Sequence, residues 1–292
     1  MSEIHQGQVR ANDVDFAYLE AGDGPLALCL HGFPDSAWGW EALLTDLAGA
    51  GFHAVAPFMR GYAPTSTAAD GRYQTGVLAL DAIALHEALG GDAAAVLIGH
   101  DWGALAAYGA ATHASDRWRC AVAASVPPAE VMAPALLDYD NLKQRFWYQF
   151  FFCNPLSDVA VAMNDLAFLD RLWADWSPGL DASPHLPRVK DALRDPANLT
   201  AALSYYRQTL GGVDQDPAIA DVQAATFQVP SIPMLYLHGT DDGCMPCPDR
   251  AALERVFNAE GSKVELIDGA GHFLQYEQPE RVNATILEFL TS

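Results

Sequence analysis

Positive charge is scarce in this chain. Its 292 residues include 16 Lys and Arg against 37 Asp and Glu, a formal net charge of −21. Such a surface repels nucleic acid and acidic membranes, so neither is an expected partner. It repels anionic substrates as well, and no Arg or Lys cluster near the motifs below offsets that, so a neutral substrate is expected. Five cysteines at irregular spacing make no disulfide framework. Cys244 and Cys247 form a C-x-x-C pair, but Pro246 and Pro248 surround it and no second pair exists. A bland loop pair is therefore expected in place of a zinc or redox site. No apolar run reaches the ~18 residues of a membrane span. The stretch from Met1 to Gln8 lacks the basic-then-apolar pattern of a signal peptide. A reduced, cytoplasmic setting fits these absences. Repeats, low-complexity stretches and linkers are missing too. With 51% hydrophobic and 18% charged residues, the sequence reads as a compact globular protein. Its length suits one large α/β domain with an insertion, or two smaller domains.

What is present is organised around Ala94-Ala95-Val96-Leu97-Ile98-Gly99-His100-Asp101-Trp102-Gly103-Ala104. The Val/Ile run reads as a buried parallel strand. The Ala-rich segment from Ala104 to Ala114 reads as a helix. Only a few residues separate the two, and Gly99, Gly103 and Ala104 are small. That pattern predicts a nucleophile elbow, a tight strand-to-helix turn holding one exposed side chain above the sheet. Its tip is a carboxylate, Asp101.

Elsewhere the pattern repeats strand, loop and helix. Alternation from Gln8 to Glu20 around Asn12-Asp13 predicts an antiparallel edge hairpin. Strands are expected at Leu26–Leu30, His53–Pro57, Cys120–Val126, Pro233–Leu237 and Lys263–Ile267. Ser36 is placed to cap the helix carrying Leu43, Leu44 and Leu47. Helical spacing through Leu78, Ala82, Leu85 and Leu89 stops at Gly90-Gly91. A final helix starts near Pro279 and buries Val282, Ile286 and Phe289. This alternation implies an α/β fold, with a parallel sheet between layers of helices. After Pro127-Pro128 the texture turns aromatic and helical. The expected organisation is a core over residues 1–128, a helical cap over 129–220 and a second core part over 221–292. Most cap aromatics are expected in a core between cap helices.

In such sheets ligands sit at the carboxyl ends of strands. Three ends offer Asp101, then Asp241 or Asp242, then His272 in a Gly-rich turn. Nucleophile, acid and base come in that order in hydrolase elbow folds. Asp242 is the expected acid, with Asp241 a turn residue. A carboxylate attacking an ester or amide would give a reactive anhydride. Attacking an sp³ carbon gives a stable ester instead, which water activated by His272 can cleave.

The motifs His31-Gly32-Phe33-Pro34, Gly99-His100-Asp101-Trp102-Gly103-Ala104, Gly239 to Asp242 and Gly271-His272-Phe273 carry a resemblance. Over nearly its whole length the chain resembles the α/β-hydrolase-fold epoxide hydrolases, relatives of the haloalkane dehalogenases. It departs from them at Ala104, where a second Gly is usual, and at Ala63, where Gly-Tyr-Gly is common. The resemblance implies the α/β-hydrolase fold, with a mostly parallel eight-stranded sheet and a helical cap. It implies an oxyanion hole from the backbone N–H groups of Phe33 and Trp102. Two cap tyrosines are implied as donors to the epoxide oxygen. Phe146-Trp147-Tyr148-Gln149, with Asn154-Pro155, resembles the segment of the first, and Ser204-Tyr205-Tyr206-Arg207 that of the second. These assign Tyr148 and Tyr206, leaving Tyr139 and Tyr205 as decoys. Haloalkane dehalogenases commonly place a halide-binding Asn where Phe33 stands, and haloacid-type relatives an Arg where Trp102 stands. The expected activity is conversion of a neutral, largely apolar epoxide and water to a vicinal diol. No cofactor or metal is expected, and the expected assembly is a monomer or homodimer. The alternatives are a haloalkane dehalogenase and a non-catalytic hydrolase-fold binder of small ligands.

Overall fold

Two consecutive residues of positive φ, Asn12 (43°) and Asp13 (60°), turn the chain back at its start. Such a turn matches the twist of paired antiparallel strands. It joins β1 (His5–Ala11) to β2 (Val14–Ala21), with Ala11 opposite Val14. The computed structural model describes residues 3–213 and 215–292, so the first two residues of the Met1–Gln8 stretch lie outside it. Six further strands follow: β3 (Leu26–Leu30), β4 (His53–Pro57), β5 (Val96–His100), β6 (Cys120–Ala124), β7 (Met234–Gly239) and β8 (Lys263–Ile267). They form one sheet in the order β1-β2-β4-β3-β5-β6-β7-β8, with the hairpin at its edge. β2 runs antiparallel to both its neighbours, and every other pairing is parallel. All residues of β3, β5, β6 and β7 are buried, as strands covered on both faces must be.

Helices cover the sheet in two layers. α1 (Glu41–Gly49) packs on the C-terminal helix Pro279–Thr291, while α2 (Thr75–Ala88) and α3 (Trp102–His113) pack on each other. Ser36 does not cap α1. A 3₁₀ turn, Ala37–Trp40, comes first, and the Ser36 hydroxyl accepts no helix N–H. That hydroxyl is buried without a partner, while the Ser36 N–H donates to the neighbouring Asp35 carboxylate (2.7 Å). Among the described residues no helix is long and apolar enough to cross a membrane.

Between β6 and β7 the chain is helical, with its longer pieces at Leu156–Trp176 and Pro196–Leu210. The first of these is broken at Met163–Leu166, where Asn164, Asp165 and Leu166 adopt positive φ. In the aromatic run Phe146, Tyr148 and Phe152 are buried, whereas Trp147 and Phe150 are exposed. The expectation of an aromatic core therefore holds on one face of the Trp147–Phe152 helix and fails on the other.

The loop after β4 fastens this helical segment to the sheet. Arg60 makes two bonds to Asp81 of α2 (2.7 and 2.6 Å), and both side chains are buried. Asn12 of the hairpin turn adds a third bond to the same carboxylate (2.7 Å). From above, the Tyr205 hydroxyl donates to the Arg60 carbonyl (2.7 Å) and Asn198 donates to the Gly61 carbonyl (2.8 Å). Removing one partner of a buried pair strands the other charge, so Asp81→Ala is expected to cost about 3–5 kcal/mol. The double variant Arg60→Met with Asp81→Leu should cost much less. Urea unfolding midpoints of both variants check this.

Candidate active site

The turn from β5 into α3 leaves no room for side chains. A Cβ on Gly99 would overlap the Gly103 carbonyl, and one on Gly103 would overlap the Leu30 carbonyl. The strand, the helix and β3 can meet this closely only because both positions are glycine. Between them Asp101 sits at φ 55° and ψ −119°, a conformation that L residues avoid. Its side chain projects from the carboxyl end of β5, where it is buried against the loop after β3.

That loop supplies donors. The Phe33 N–H donates to Asp101 Oδ1 at 2.7 Å, and the adjacent Trp102 N–H also favours the charged carboxylate. His31 shapes the loop from behind. Its Nε2 accepts the Met59 N–H (2.9 Å), so its Nδ1 carries the proton, donated to the Gly32 carbonyl (2.9 Å). Burial pushes the His31 pKa down to about 4, so the ring stays neutral at neutral pH.

The turn after β8 delivers His272. Its Nδ1 donates to Asp242 Oδ2 at 2.9 Å, and its Nε2 lies 3.8 Å from Asp101 Oδ2 with no hydrogen-bond partner. Asp242, after β7, is fixed in turn. Its Oδ1 accepts the backbone N–H groups of Cys244 (2.7 Å) and Met245 (2.8 Å). The His272 carbonyl accepts from His100 Nε2 (2.9 Å) and Ser125 Oγ (2.8 Å), and its N–H donates to the Trp176 carbonyl (3.0 Å). Asp241 is exposed in the turn, as expected. Charge follows from this packing. Burial alone would disfavour a charged His272, but the facing Asp242 and Asp101 carboxylates outweigh it and raise its pKa. Burial raises the Asp101 pKa, although His272 and the Phe33 and Trp102 N–H groups oppose it. For Asp242 burial loses to the contact with His272, and its pKa is lowered.

A cavity of roughly 140 Å³ opens from Asp101 and Trp102. Leu105, Val126, Met132 and Met245 wall it, and Leu210 and Phe227 are its exposed outer residues. Among the described residues no Lys or Arg lines it, and Asp101 is the one formally charged lining residue. The structure also brings Tyr148 and Tyr206 into its lining, their ring centroids 5.7 Å apart. The Tyr206 hydroxyl is buried without a partner, and its ring meets Trp102 edge-on at 4.8 Å. The Trp102 indole N–H is unpartnered as well. Tyr205 points away to Arg60, and Tyr139 is exposed. The sequence reading passed over His100 and Ser125, which hold His272 by its backbone. It also placed Cys244 in a loop, where it is, without foreseeing that the thiol is buried in the cavity lining beside Tyr148. The one signal for Cys244 was its position two residues after the chosen acid.

A strand-end carboxylate, an imidazole and a second acid on this sheet define a hydrolase of the elbow type. A sequence profile of the alpha/beta hydrolase fold matches residues 25–279. Epoxide hydrolase A of Mycobacterium tuberculosis is 31% identical, over 97% of this chain and 96% of that protein. The AB hydrolase superfamily protein YfhM of Bacillus subtilis is 29% identical over the same shares. Among solved structures, epoxide hydrolase A of Mycobacterium thermoresistibile superposes with a TM-score of 0.78 at 25% identity, covering 99% of both chains. The chain belongs to the α/β-hydrolase-fold family, in its epoxide hydrolase group.

Two expectations follow from this geometry. The positive φ at position 101 strains any residue but glycine. Asp101→Gly should therefore unfold at higher urea than Asp101→Ala, by roughly 1 kcal/mol. Removing the carboxylate that faces His272 Nδ1 should lower the imidazole pKa, so NMR titration of the ring protons should show a lower midpoint in Asp242→Asn. A midpoint unchanged from wild type would refute the electrostatic account.

Proposed function

We propose that the protein hydrolyses a neutral, largely apolar epoxide to a vicinal diol by way of an ester on Asp101. The observation that carries this reading is the pair of tyrosine hydroxyls facing a cavity that ends at a carboxylate. An sp³ electrophile suits a carboxylate nucleophile, and an epoxide leaves as an alkoxide, which needs hydrogen-bond donors. Tyr148 and Tyr206 are such donors, and the apolar, Lys- and Arg-free lining suits an uncharged substrate. In this reading residues 129–220 form a cap, bringing both tyrosines to the carboxyl ends of the strands.

In the first half-reaction the ionised Asp101 attacks a ring carbon. The C–O bond breaks, and the tyrosines hold or protonate the departing oxygen. In the second, His272 Nε2 takes a proton from water, which attacks the ester carbonyl on Asp101. The Phe33 and Trp102 N–H groups then stabilise the oxyanion. Asp242 orients the ring and offsets the imidazolium charge. The unpartnered Nε2 is free for that water. The unpartnered Trp102 indole N–H is the one feature that favours a halide leaving group, and it makes haloalkane dehalogenation the second reading. The same reading keeps the protein cytoplasmic and requires no cofactor.

Asp101→Ala should abolish turnover, and mass spectrometry of substrate-exposed wild type should find the adduct on the Asp101 peptide. His272→Gln should alkylate once and stop, because only ester hydrolysis needs the base. Each of Tyr148→Phe and Tyr206→Phe should slow alkylation by roughly 10², as loss of one oxyanion donor does. If both alkylate at the wild-type rate, bromoalkane turnover becomes the discriminating assay. The pH dependence should split the two steps. Alkylation fails at acid pH as Asp101 protonates, above the usual range for an aspartate. Ester hydrolysis needs neutral His272 and so fails as pH falls through a midpoint raised above the usual imidazole range. Stopped-flow measurement of each step against pH checks this, the ester accumulating wherever His272 is protonated while Asp101 is still ionised. The ester no longer carries the Asp101 charge, so His272 should titrate lower in it than in the free enzyme.

A further inference from the structure

The two cavity tyrosines stand in different settings. The Tyr206 hydroxyl has no partner, while the Tyr148 hydroxyl has two. Cys244 Sγ lies 3.3 Å from the Tyr148 oxygen, and Gln149 Nε2 donates to that oxygen at 3.3 Å. Cys244 is itself held in place. It is buried, and its backbone N–H is bound to the Asp242 carboxylate. Thiol, acid and imidazole are thus neighbours, with ligand atoms of Asp242, Cys244 and His272 all within 4.8 Å of one another.

A thiol both accepts and donates hydrogen bonds, and does both weakly. While the cavity is empty, sulfur can accept the Tyr148 proton without holding it firmly. Once that proton turns to an epoxide oxygen, negative charge builds on the tyrosine oxygen. The S–H can then rotate to donate to it. Burial, reinforced by Asp242 and Asp101, holds the thiol pKa well above its usual range, so the S–H persists at neutral pH. We propose that Cys244 is a positioning residue for Tyr148, its thiol switching from acceptor to donor as the tyrosine turns to the substrate oxygen. The proposal rests on Tyr148 being a donor in the reading above. It makes the two tyrosines unequal, Tyr148 backed by a thiol and Tyr206 not.

The test is a double-mutant cycle on pre-steady-state alkylation of a styrene-type epoxide, joined to infrared spectroscopy of the resting protein. Cys244→Ala should slow alkylation on the order of tenfold, the effect of one ordinary hydrogen bond, and leave ester hydrolysis unchanged. Cys244→Ser should restore most of the rate, since a hydroxyl can play both parts. In a Tyr148→Phe background Cys244→Ala should have no further effect on alkylation. The S–H stretching band lost in Cys244→Ala should also shift in Tyr148→Phe without any substrate present. A penalty of equal size in both backgrounds would make Cys244 a packing residue and overturn the proposal, as would an unshifted band. A wild-type protein that turns over no epoxide would sink the functional reading and the role of Tyr148 with it. Only a failed cycle in an active enzyme counts against Cys244 alone.

Discussion

The rest of this structure depends on one backbone conformation, the left-handed turn at Asp101. It places a carboxylate above the sheet, and it does so by pressing α3 against β5 and β3 until no Cβ fits at Gly99 or Gly103. The strain is local, and the support for it comes from a buried centre of parallel strands. Around that carboxylate the structure balances opposing effects. Burial favours the neutral acid, two backbone N–H groups and His272 favour the anion, and Asp242 keeps the imidazole ready to carry charge.

Much of this was legible in the sequence because it is encoded locally. Strand ends announce themselves through apolar runs followed by Gly-rich turns, which is why Asp101, Asp242 and His272 could be named without coordinates. The Asn12-Asp13 turn and the Pro279 helix start were legible for the same reason: each is decided by a few adjacent residues. Ser36 fails instructively. Its type and spacing suit a helix cap, but its hydroxyl stays buried without a partner, and an intervening 3₁₀ turn moves the helix start to Glu41.

Long-range contacts left no such trace. Nothing near Cys244 in the chain announces Tyr148, 96 residues earlier, and a C-x-x-C spacing read as a bland loop pair gave no hint of that contact. His100 and Ser125 likewise act on His272 across 172 and 147 residues of sequence. The two faces of the Trp147–Phe152 helix differ in burial because the fold covers only one of them, which composition cannot tell.

Tyr205 and Tyr206 are consecutive residues on one helix, so their side chains point about 100° apart. The first is tied to the Arg60 carbonyl, in a loop held by the Arg60–Asp81 pair. The second has no tie of its own and faces the cavity. The azimuth of a free hydroxyl is thus set by its neighbour's anchor, and through it by an ion pair beside the edge hairpin. Asn12 and Asp81, remote from the cavity in space and in sequence, are thereby joined to its geometry through Arg60 and Tyr205, so a position that reads as fold stability alone also bears on how the cavity is shaped.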